Sequence, residues 1–577
     1  MRNSFIYLII FFTISCNTLD LNPLSEGSSE NWYSNDAEIE MAVNYLFDID
    51  FWDLELLRTS TGNHGYSMQW ADKYSDNWTA RNGLSEVDGG SINSQTSFVN
   101  FMWNNTYKCI AAANRLLISL EGTTAPVTEE KLLIYEANAR FVRASQYSKL
   151  IFHFGDVPYY ENILEIEEAF SLSRSSKEEI LAKIYDDYDF AIANLPEVYG
   201  GSDVAYATKG AALAMKARIA LYMGDFEVAN EAAKACIDLG NYSLYPDYEE
   251  LFLSSTKNSQ ETIFSTPRST ALGLIIPDVG RAKEPLPRIV GGFANGGPSW
   301  SLLASYLCTD GLPIDESPLF DPQNPFSNRD PRCTATIVEF GTKWLGFDYQ
   351  PHPDSLTTMN YATGTHVSNT DNRAVLQYAS YNALVWKKKV NEDWLDLRTD
   401  NDNIIIRFAD VLHIYAEAKI ELDEIDQSVL DALNKVRSRA YGVEYTDVGS
   451  YPEITTMDQT ELRKVLRIER RMEFAFEGTR WHDIFRWKLA EKVLNQPIYG
   501  ILDPDELRTN VVDQGLWFWS SIPAIDEDGI PDFSTMFNAG HCKLLALRVF
   551  DPNKQYLLPI PSTEIEINPN ISQNPNY

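Results

Sequence analysis

The sequence has few basic residues and few cysteines for its length. Lysine and arginine number 48 against 82 aspartates and glutamates, which gives a formal net charge of −34 over 577 residues. A chain of that sign repels phosphate backbones, so nucleic acid is not expected as a partner. The six cysteines are scattered and none belongs to a Cys-x-x-Cys pair, so the sequence offers neither a zinc site nor a thioredoxin-like redox motif.

Catalytic motifs are also missing. No His-Glu-x-x-His, Gly-x-Ser-x-Gly or P-loop pattern occurs, and the seven histidines are isolated from one another in sequence. Paired carboxylates are too common in so acidic a chain to indicate a catalytic site. We therefore expect a binding protein and no enzyme. A glycoside hydrolase, the enzymatic alternative, would release new reducing ends from an oligosaccharide.

Long apolar runs are absent apart from a short one at the amino terminus. Residues 5–12 are apolar, too few to span a bilayer, and typical of a secretory signal. Ser15 supplies the small residue that signal cleavage requires, and Cys16 follows it as in bacterial lipoproteins, although Thr13 stands where an aliphatic residue is usual. We expect residues 1–15 to be a signal peptide and Cys16 to carry a lipid. An ordinary signal peptide with a chance cysteine is the alternative.

Helical periodicity dominates the two ends of the chain. Apolar residues recur at three- to four-residue spacing in 38–52, 98–120, 136–160, 177–197, 209–240, 404–423 and 426–442. The segment 209–240 predicts two helices that meet at Gly224 and Asp225, with Ala217 and Ala229 allowing close contact, as in a tetratricopeptide repeat. Such a pair cannot bury its apolar face alone, so several pairs must stack. The spacing also fits a plain helical bundle.

The middle of the chain has a different composition. Glycine, proline, asparagine and serine are frequent there, with short β-type runs at 334–340 and 374–380. Long ordered loops of this kind are common sites of binding surfaces. We therefore divide the chain into a signal peptide 1–15, an N-terminal helical region 16–245, an irregular ligand-binding lobe 246–400 and a C-terminal helical region 401–577.

Aromatic residues in three loops are the candidate ligand contacts. A sugar ring presents apolar C–H faces that stack on aromatic rings, while neighbouring amides and charges bind its hydroxyl groups. The candidates are Trp70, Tyr74, Trp78 and Arg81 in the first loop, Trp300 in the second, and Trp344 and Phe347 in the third. The four-residue spacing in the first loop fits a packed helix face equally well. Trp517 and Trp519 alternate as two residues on one face of a strand do.

One acidic loop resembles part of a calcium site. Asp526, Asp528 and Asp532 surround a glycine turn, but Phe537 occupies the twelfth position, where a calcium loop carries glutamate. A plain Asp-Gly turn is therefore favoured over calcium, and no cofactor is expected.

Several segments, in order, resemble the SusD/RagB family of surface lipoproteins from Bacteroidetes-type bacteria. They are "CNTLDLNP" at 16–23, "RFVRASQYSKLIFHFGDVP" at 140–158, the repeat at 209–240, "IIIRFADVLHIYAEA" at 404–418, "ALNKVRSRAYG" at 432–442, "LRKVLRIERRMEFAFEGTRWHDIFRW" at 462–487 and "YLLPIPSTEIEINPNISQNPNY" at 556–577. Each segment alone is a weak signal, but their ordered occurrence over nearly the whole chain after the signal peptide is specific.

The resemblance implies a mainly α fold, in which four tetratricopeptide-like helix pairs form an α-α superhelix under an irregular, loop-rich lobe with a few short β-strands. It also implies a cell-surface protein of the outer membrane, held only by its lipid anchor. Such a protein captures a nutrient, typically an oligosaccharide, and passes it to a SusC-like TonB-dependent transporter, which the helical repeats face. A peptide-binding member of the family and a repeat scaffold without a small ligand are the alternatives. A groove lined by aromatic residues favours sugar, whereas a charged end and exposed strand edges favour peptide.

With this resemblance, the charge-rich stretch 469–487 is interpreted as a scaffold element. Its carboxylates include Glu469, Glu473 and Glu477 at helical spacing, and its nearby guanidinium groups are those of Arg470, Arg471 and Arg480. These arginines are close enough in sequence to neutralise the glutamates within one or two helical turns. We predict a buried ion-pair corner between two helices, with Gly478 ending the first helix.

Overall fold

Helices are the commonest regular structure in the described part of the chain. The structure, a computed structural model, describes residues 32–52, 71–81, 83–200, 206–275 and 282–577. The helices are α1 Asp36–Leu46, α2 Ile49–Trp52, α3 Ser97–Leu120, α4 Glu129–Phe154, α5 Ile166–Ala169, α6 Lys177–Asn194, α7 Lys209–Met223, α8 Phe226–Asp238, α9 Trp300–Ser305, α10 Arg332–Thr336, α11 Phe408–Glu421, α12 Gln427–Ala440, α13 Gln459–Glu473, α14 Thr479–Arg486, α15 Ala490–Val493, α16 Pro504–Leu507, α17 Ser534–Asn538 and α18 Ser562–Ile567. Within these ranges no helix combines the length and apolarity needed to cross a bilayer.

The strands are short and form small sheets. They are β1 Trp78–Ala80, β2 Thr262–Thr266, β3 Gly296–Pro298, β4 Thr342–Trp344, β5 Phe347–Tyr349, β6 Thr357–Asn360, β7 Thr365–Ser368, β8 Asn403–Arg407, β9 Pro497–Gly500, β10 Ala524–Ile525, β11 Pro531–Asp532 and β12 Lys543–Leu547. Strands β4 to β7 form one antiparallel sheet in sequence order, and the others pair as β1–β3, β2–β8, β9–β12 and β10–β11. The predicted mainly α fold with a few short strands is confirmed.

Successive helices pack on one another as tetratricopeptide-like pairs. Helix α3 packs on α4, α4 on α6, α6 on α7 and α7 on α8, and α11 from the second half of the chain packs on both α8 and α12. The joint between α7 and α8 lies at the predicted place. Gly224 has a left-handed backbone with φ +80° that ends α7, and the Asp225 side chain accepts from the Val228 amide to begin α8. Ala217 and Ala229 are fully buried, so the two helices approach closely.

Two predicted β-type runs are not strands. Residues 334–340 begin inside α10, and residues 374–380 form turns. Burial of Ile337 and Val338 in an irregular segment requires the same apolar residues as a strand does, so composition alone could not separate the two. The predicted helix 404–423 is also wrong at its start. Its three β-branched isoleucines belong to β8, and the helix begins only at Phe408.

Two apolar cores meet at the charge-rich stretch. The larger core joins the helix pairs, and the second lies in the irregular lobe around Trp300, Trp386 and Trp519. Phe474 belongs to the first core and Phe476 to the second. The predicted strand at 517–519 is absent, because Trp519 is fully buried against Trp300 and Phe518 instead of alternating along a strand.

The three glutamates of the stretch 469–487 bind arginines and a lysine from distant segments. Glu469 pairs with Arg332 and Arg437, Glu473 with Arg332, Arg407 and Arg439, and Glu477 with Arg407 and Lys388, at N–O distances of 2.5 to 3.1 Å. All three side chains are buried. The predicted buried corner exists, but the predicted local pairing is wrong.

The local prediction fails because the stretch is not one helix. Helix α13 ends at Glu473, and the chain turns through Phe476, with φ +60°, before Gly478 precedes α14. The three glutamates therefore do not share one helix face. The nearby arginines bind aspartates instead: Arg470 binds Asp410 and Asp483, and Arg471 and Arg480 bind Asp76.

Pairing decides the charge state of these glutamates. Burial alone would raise the pKa of Glu473, but Arg439, Arg407 and Arg332 outweigh it and hold the pKa well below 4.5. The same balance lowers the pKa of Glu477 from 4.5 to about 2, with Arg407 and Lys388 opposing burial. Glu477 therefore stabilises the fold at pH values above 4.5, its ordinary pKa. This stabilisation is lost as the pH falls towards the folded-state pKa of about 2.

Glu473→Gln should destabilise the protein by about 3–5 kcal/mol, because it leaves buried guanidinium groups without their shared carboxylate. The measurement is chemical or thermal unfolding of the purified protein. Glu461→Gln is the matched control, since Glu461 lies in the same helix and pairs only with exposed Lys464. It should cost about 1 kcal/mol or less. Equal losses in the two variants would contradict the role assigned to Glu473.

Candidate functional site

Three of the predicted aromatic contacts lie inside the protein. Tyr74, Trp78 and Trp300 are 2 %, 6 % and 2 % exposed. Tyr74 packs against Phe98 and Trp481, Trp78 against Trp386 and Phe476, and Trp300 against Phe518 and Trp519, with ring centroids 5.2 to 6.1 Å apart. No ring face remains for a ligand, so these three residues do not form a stacking platform. Trp70 and Cys16 lie outside the described residues.

Trp78 instead fixes the position of Arg81. Strand β1 pairs with β3, with Trp78 opposite Pro298 and Ala80 opposite Gly296. The indole covers Gly296 so closely that a Cβ there would lie 2.2 Å from Cζ2 of Trp78. Only glycine permits this approach. Beyond the strand, the Arg81 amide donates to the Asn295 carbonyl at 2.7 Å, which brings Arg81 against the loop before β3.

Arg81 joins the backbones of two residues whose aromatic rings are exposed. Its Nη1 donates to the carbonyl oxygens of Phe293 at 3.0 Å and Tyr378 at 2.6 Å, and its guanidinium lies 5.5 Å from the centre of the Tyr378 ring. Phe293 is 37 % exposed and Tyr378 is 51 % exposed. Arg288 binds the same loop, donating from Nη1 to the Gly292 carbonyl at 3.0 Å. We call Arg81, Arg288, Phe293 and Tyr378 the Arg81 patch.

Hydrogen bonds within the loop 283–294 hold this patch in place. The amides of Phe293 and Ala294 donate to the carbonyls of Lys283 and Leu286 at 2.8 and 3.0 Å. Asp371 accepts from the amide of Arg288 at 2.6 Å. Burial raises the pKa of Asp371 to about 6, and the backbone hydrogen bonds oppose that rise. The loop is therefore anchored at both ends, which fixes the backbone of Phe293 relative to the Arg81 guanidinium.

Trp344 and Phe347 lie beside the patch in the β4–β5 hairpin. They face each other across the two strands, which Leu345 and Gly346 connect with positive φ of 47° and 84°. Both rings are half-buried. Trp344 packs on the apolar cluster that contains Val290, a residue of the anchored loop. Trp344 therefore shares its apolar surroundings with the loop that carries Arg288 and Phe293, and Phe347 is its partner across the hairpin.

Sequence analysis missed Arg288, Phe293 and Tyr378. Phe293 stands alone in "GGFANGG", and an aromatic residue among glycines has little local structure to bury it. That signal was available from the sequence. Tyr378 lies in the run 374–380, which its composition assigned to a strand, so its exposure could not be predicted.

The acidic loop at 526–532 forms a hydrogen-bonded turn that pairs with a lysine. Asp526 accepts from the amides of Asp528 and Ile530 at 2.9 and 3.0 Å. The ammonium group of Lys492 lies 2.9 Å from Asp526 and 2.6 Å from Asp528, and already neutralises them. Asp532 caps Ser534. These residues do not fit calcium, and in the described ranges no cluster of three or more His, Cys, Asp or Glu side chains is arranged to hold a metal ion.

Comparison with known proteins gives two family matches and several full-length relatives. A family profile described as "SusD family" matches residues 260–577, and one described as "Starch-binding associating with outer membrane" matches residues 39–221. The chain is 23% identical over 538 residues to SusD-like protein P25 of Formosa agariphila, covering 88% of this chain and 93% of that protein. SusD-like protein P2 of the same organism is 25% identical over 591 residues, with 99% of each chain covered.

Solved structures share the whole architecture. A SusD-like carbohydrate binding protein from Bacteroides fragilis matches with a TM-score of 0.75 and 27% identity, covering 93% of this chain and 99% of its own. A laminarin binding SusD-like protein matches with a TM-score of 0.60 over 94% of this chain and 100% of its own. At 20% identity the second match shows the fold alone.

Gly296→Ala should destabilise the protein by about 1–3 kcal/mol, because the added methyl group overlaps the Trp78 ring. Gly297→Ala is the matched control, since a Cβ there meets its nearest atom, in Trp386, at 3.7 Å. Unfolding of both variants by urea, followed by tryptophan fluorescence, measures the difference. If the two variants unfolded alike, Trp78 would not be packed as described.

Proposed function

The chain belongs to the SusD family, and we propose that it captures an oligosaccharide nutrient at the bacterial cell surface and delivers it to a SusC-like TonB-dependent transporter in the outer membrane. The carbohydrate-binding relative from Bacteroides fragilis, with 27% identity over nearly the whole chain, supports the ligand class. The family profile over residues 39–221, which names starch binding and the outer membrane, supports both the ligand and the location.

The observation that carries the proposal is the pair of exposed rings beside Arg81. A pyranose ring buries its C–H faces against aromatic rings, and its hydroxyl groups accept from a guanidinium. Phe293 and Tyr378 supply the rings, and Arg81 supplies the donor between them. Because hydrogen bonds already hold the backbones of Phe293 and Tyr378 to Arg81, little backbone ordering is required when the ligand binds.

Trp344 and Phe347 extend the proposed contact surface. Trp344 packs on the same apolar cluster as Val290 of the loop 283–294, Phe347 lies opposite Trp344 in the hairpin, and both keep part of each ring exposed. A ligand longer than one sugar unit could reach them from the patch. Of the residues that the sequence indicated, Arg81, Trp344 and Phe347 therefore remain proposed ligand contacts.

A peptide is the second candidate ligand. Strand β7, Thr365–Ser368, is an edge of the four-stranded sheet and pairs only with β6 there. An extended peptide could add to that edge through main-chain hydrogen bonds. We favour the saccharide because the exposed aromatic rings surround Arg81, whereas the β7 edge offers backbone groups alone.

The proposed attachment to the membrane is a lipid on Cys16, after removal of residues 1–15. The segment from Cys16 to the first described helix is polar and rich in turn-forming residues, which suits a tether. We propose that the helix pairs face the transporter, so that the irregular lobe carries the ligand above it. The proposed role is binding and transfer without cleavage of the saccharide.

Phe293→Ala and Tyr378→Ala should each weaken saccharide binding by about tenfold, or about 1.4 kcal/mol, because each removes one stacking face. A glycan array identifies the ligand, and calorimetry with that ligand measures the two affinities. Phe170→Ala is the control, since Phe170 is 48 % exposed and follows α5 among the helix pairs. Its affinity should equal that of the unmodified protein.

Binding of peptides and of no saccharide would replace the first proposal with the second. Unchanged affinity in Phe293→Ala and Tyr378→Ala would place the binding site elsewhere on the protein. New reducing ends in the incubated oligosaccharide would contradict a purely binding role.

Cys16→Ser should remove the protein from the outer-membrane fraction, because the acylated thiol is lost. Metabolic labelling with a radioactive fatty acid and fractionation of the cells provide the measurement. Ser15→Ala is the control, since alanine is also a small residue before the cleavage site and labelling should persist. Labelled Cys16→Ser protein would show that another residue carries the lipid.

A further inference from the structure

We propose that the Arg81 patch selects an anionic saccharide, one that carries a carboxylate or a sulfate group on the sugar unit held at the patch. This inference rests on the proposed saccharide-binding function and names the chemical class of its ligand.

The first observation is that two guanidinium groups are held on neighbouring peptide groups of one loop. Arg288 donates to the carbonyl of Gly292 and Arg81 to the carbonyl of Phe293, each at 3.0 Å. Lys283 adds a third cation, with Nζ 5.9 Å from the centre of the Phe293 ring. Burial, and next the positive charge of Arg288, lower the pKa of Arg81, which agrees with the two guanidinium groups lying close together.

The second observation is that neither guanidinium group forms a direct ion pair with a carboxylate among the described residues, although the charge of Arg288 acts at longer range on the buried carboxyl group of Asp371. Among residues 32–52, 71–81, 83–200, 206–275 and 282–577, no Asp or Glu forms an ion pair with Arg81 or Arg288, although the chain carries 82 acidic residues. The nearby carboxylate of Asp371 accepts from the backbone amides of Arg288 and Ile289 instead. In the interior, by contrast, Arg407 and Arg470 each bind two or more carboxylates.

The third observation is that Arg81 retains hydrogen-bond donors. Its Nη1 serves the two backbone carbonyls, and Nη2 and Nε have no acceptor among the described residues. A guanidinium edge with two N–H groups matches the paired oxygens of a carboxylate or a sulfate. Phe293 and Tyr378 lie beside it, so the ring of the sugar can stack while its charged substituent binds Arg81.

A neutral saccharide explains less of this arrangement. Amide side chains and backbone groups suffice to bind hydroxyl groups, and two like charges held together without a counter-ion repel each other. A ligand anion would remove that repulsion. The surplus of positive charge is therefore explained by the charge of the ligand.

The test compares charged saccharides with their neutral counterparts. A glycan array should contain uronic-acid oligosaccharides with their methyl esters, and sulfated oligosaccharides with their desulfated forms, so that the two sources of charge are separated. We expect at least one charged member to bind about tenfold or more tightly than its neutral counterpart at low ionic strength. This preference should decrease as salt is added.

Two variants assign the preference to the patch. Arg288→Gln should lower the affinity for the charged member by a larger factor than the affinity for its neutral counterpart, and so reduce the charged-over-neutral preference, because it removes one positive charge from the patch together with one hydrogen bond to Gly292. Arg81→Lys retains the charge but lacks the two-donor edge, and should retain only part of the preference. Arg115→Gln, at an exposed position on α3, removes the same charge elsewhere and should change nothing.

The outcomes separate this inference from the function on which it rests. Equal affinity for charged and neutral members overturns the inference and leaves saccharide binding standing. A preference that Arg115→Gln reduces as much as Arg288→Gln also overturns it, because net charge and not the patch would then be responsible. Failure to bind any member of the array overturns the proposed function and the inference together.

Discussion

One buried carboxylate, Glu473, binds segments of the chain that lie far apart in sequence. It binds Arg332 of α10, Arg407 of β8 and Arg439 of α12, and its neighbours Glu469 and Glu477 extend the same network. Burying a single charge costs several kcal/mol, so these groups are tolerated only when all of them are together. Apolar packing alone would allow the helix pairs and the irregular lobe to shift against each other. The ion pairs permit one arrangement.

The same corner also determines where the candidate site lies. Asp76 binds Arg471 at 2.8 Å and Arg480 at 2.9 Å, and Asp72 accepts from the Gly478 amide at 2.9 Å. Asp76 and Arg480 are 404 residues apart in sequence. Strand β1 follows directly, and Arg81 comes at its end. A stretch whose charge density first suggests catalysis therefore has a structural role, because it fixes the segment that carries a proposed ligand-binding arginine.

The helices were predictable because their signals are local. The Gly224–Asp225 joint and the alanines of α7 and α8 follow from spacing within about 30 residues. The ion-pair partners were not predictable, because the arginines that bind Glu473 are close to it in space but distant in sequence. In addition, the helix predicted to carry all three glutamates ends at Glu473. The same limit applies to Trp78. Its burial depends on Trp386 and on a glycine of β3, neither of which the local sequence reveals.

Four tryptophans are buried in the second core, so the candidate site is built from other, exposed aromatic residues. Trp78, Trp300, Trp386 and Trp519 fill the second core, and the exposed rings of the patch are a phenylalanine and a tyrosine on anchored loops. Arg81 has two roles there. Its Nη1 donates to a carbonyl of each loop and so joins the two backbones, while its remaining N–H groups lack a described acceptor. Arg288 binds the neighbouring carbonyl without bridging the loops, so it adds positive charge to the patch without joining the two backbones. On the proposed function, the exposed rings stack on the ring of a sugar and the guanidinium groups bind its substituents, so that stacking and charge recognition belong to different atoms.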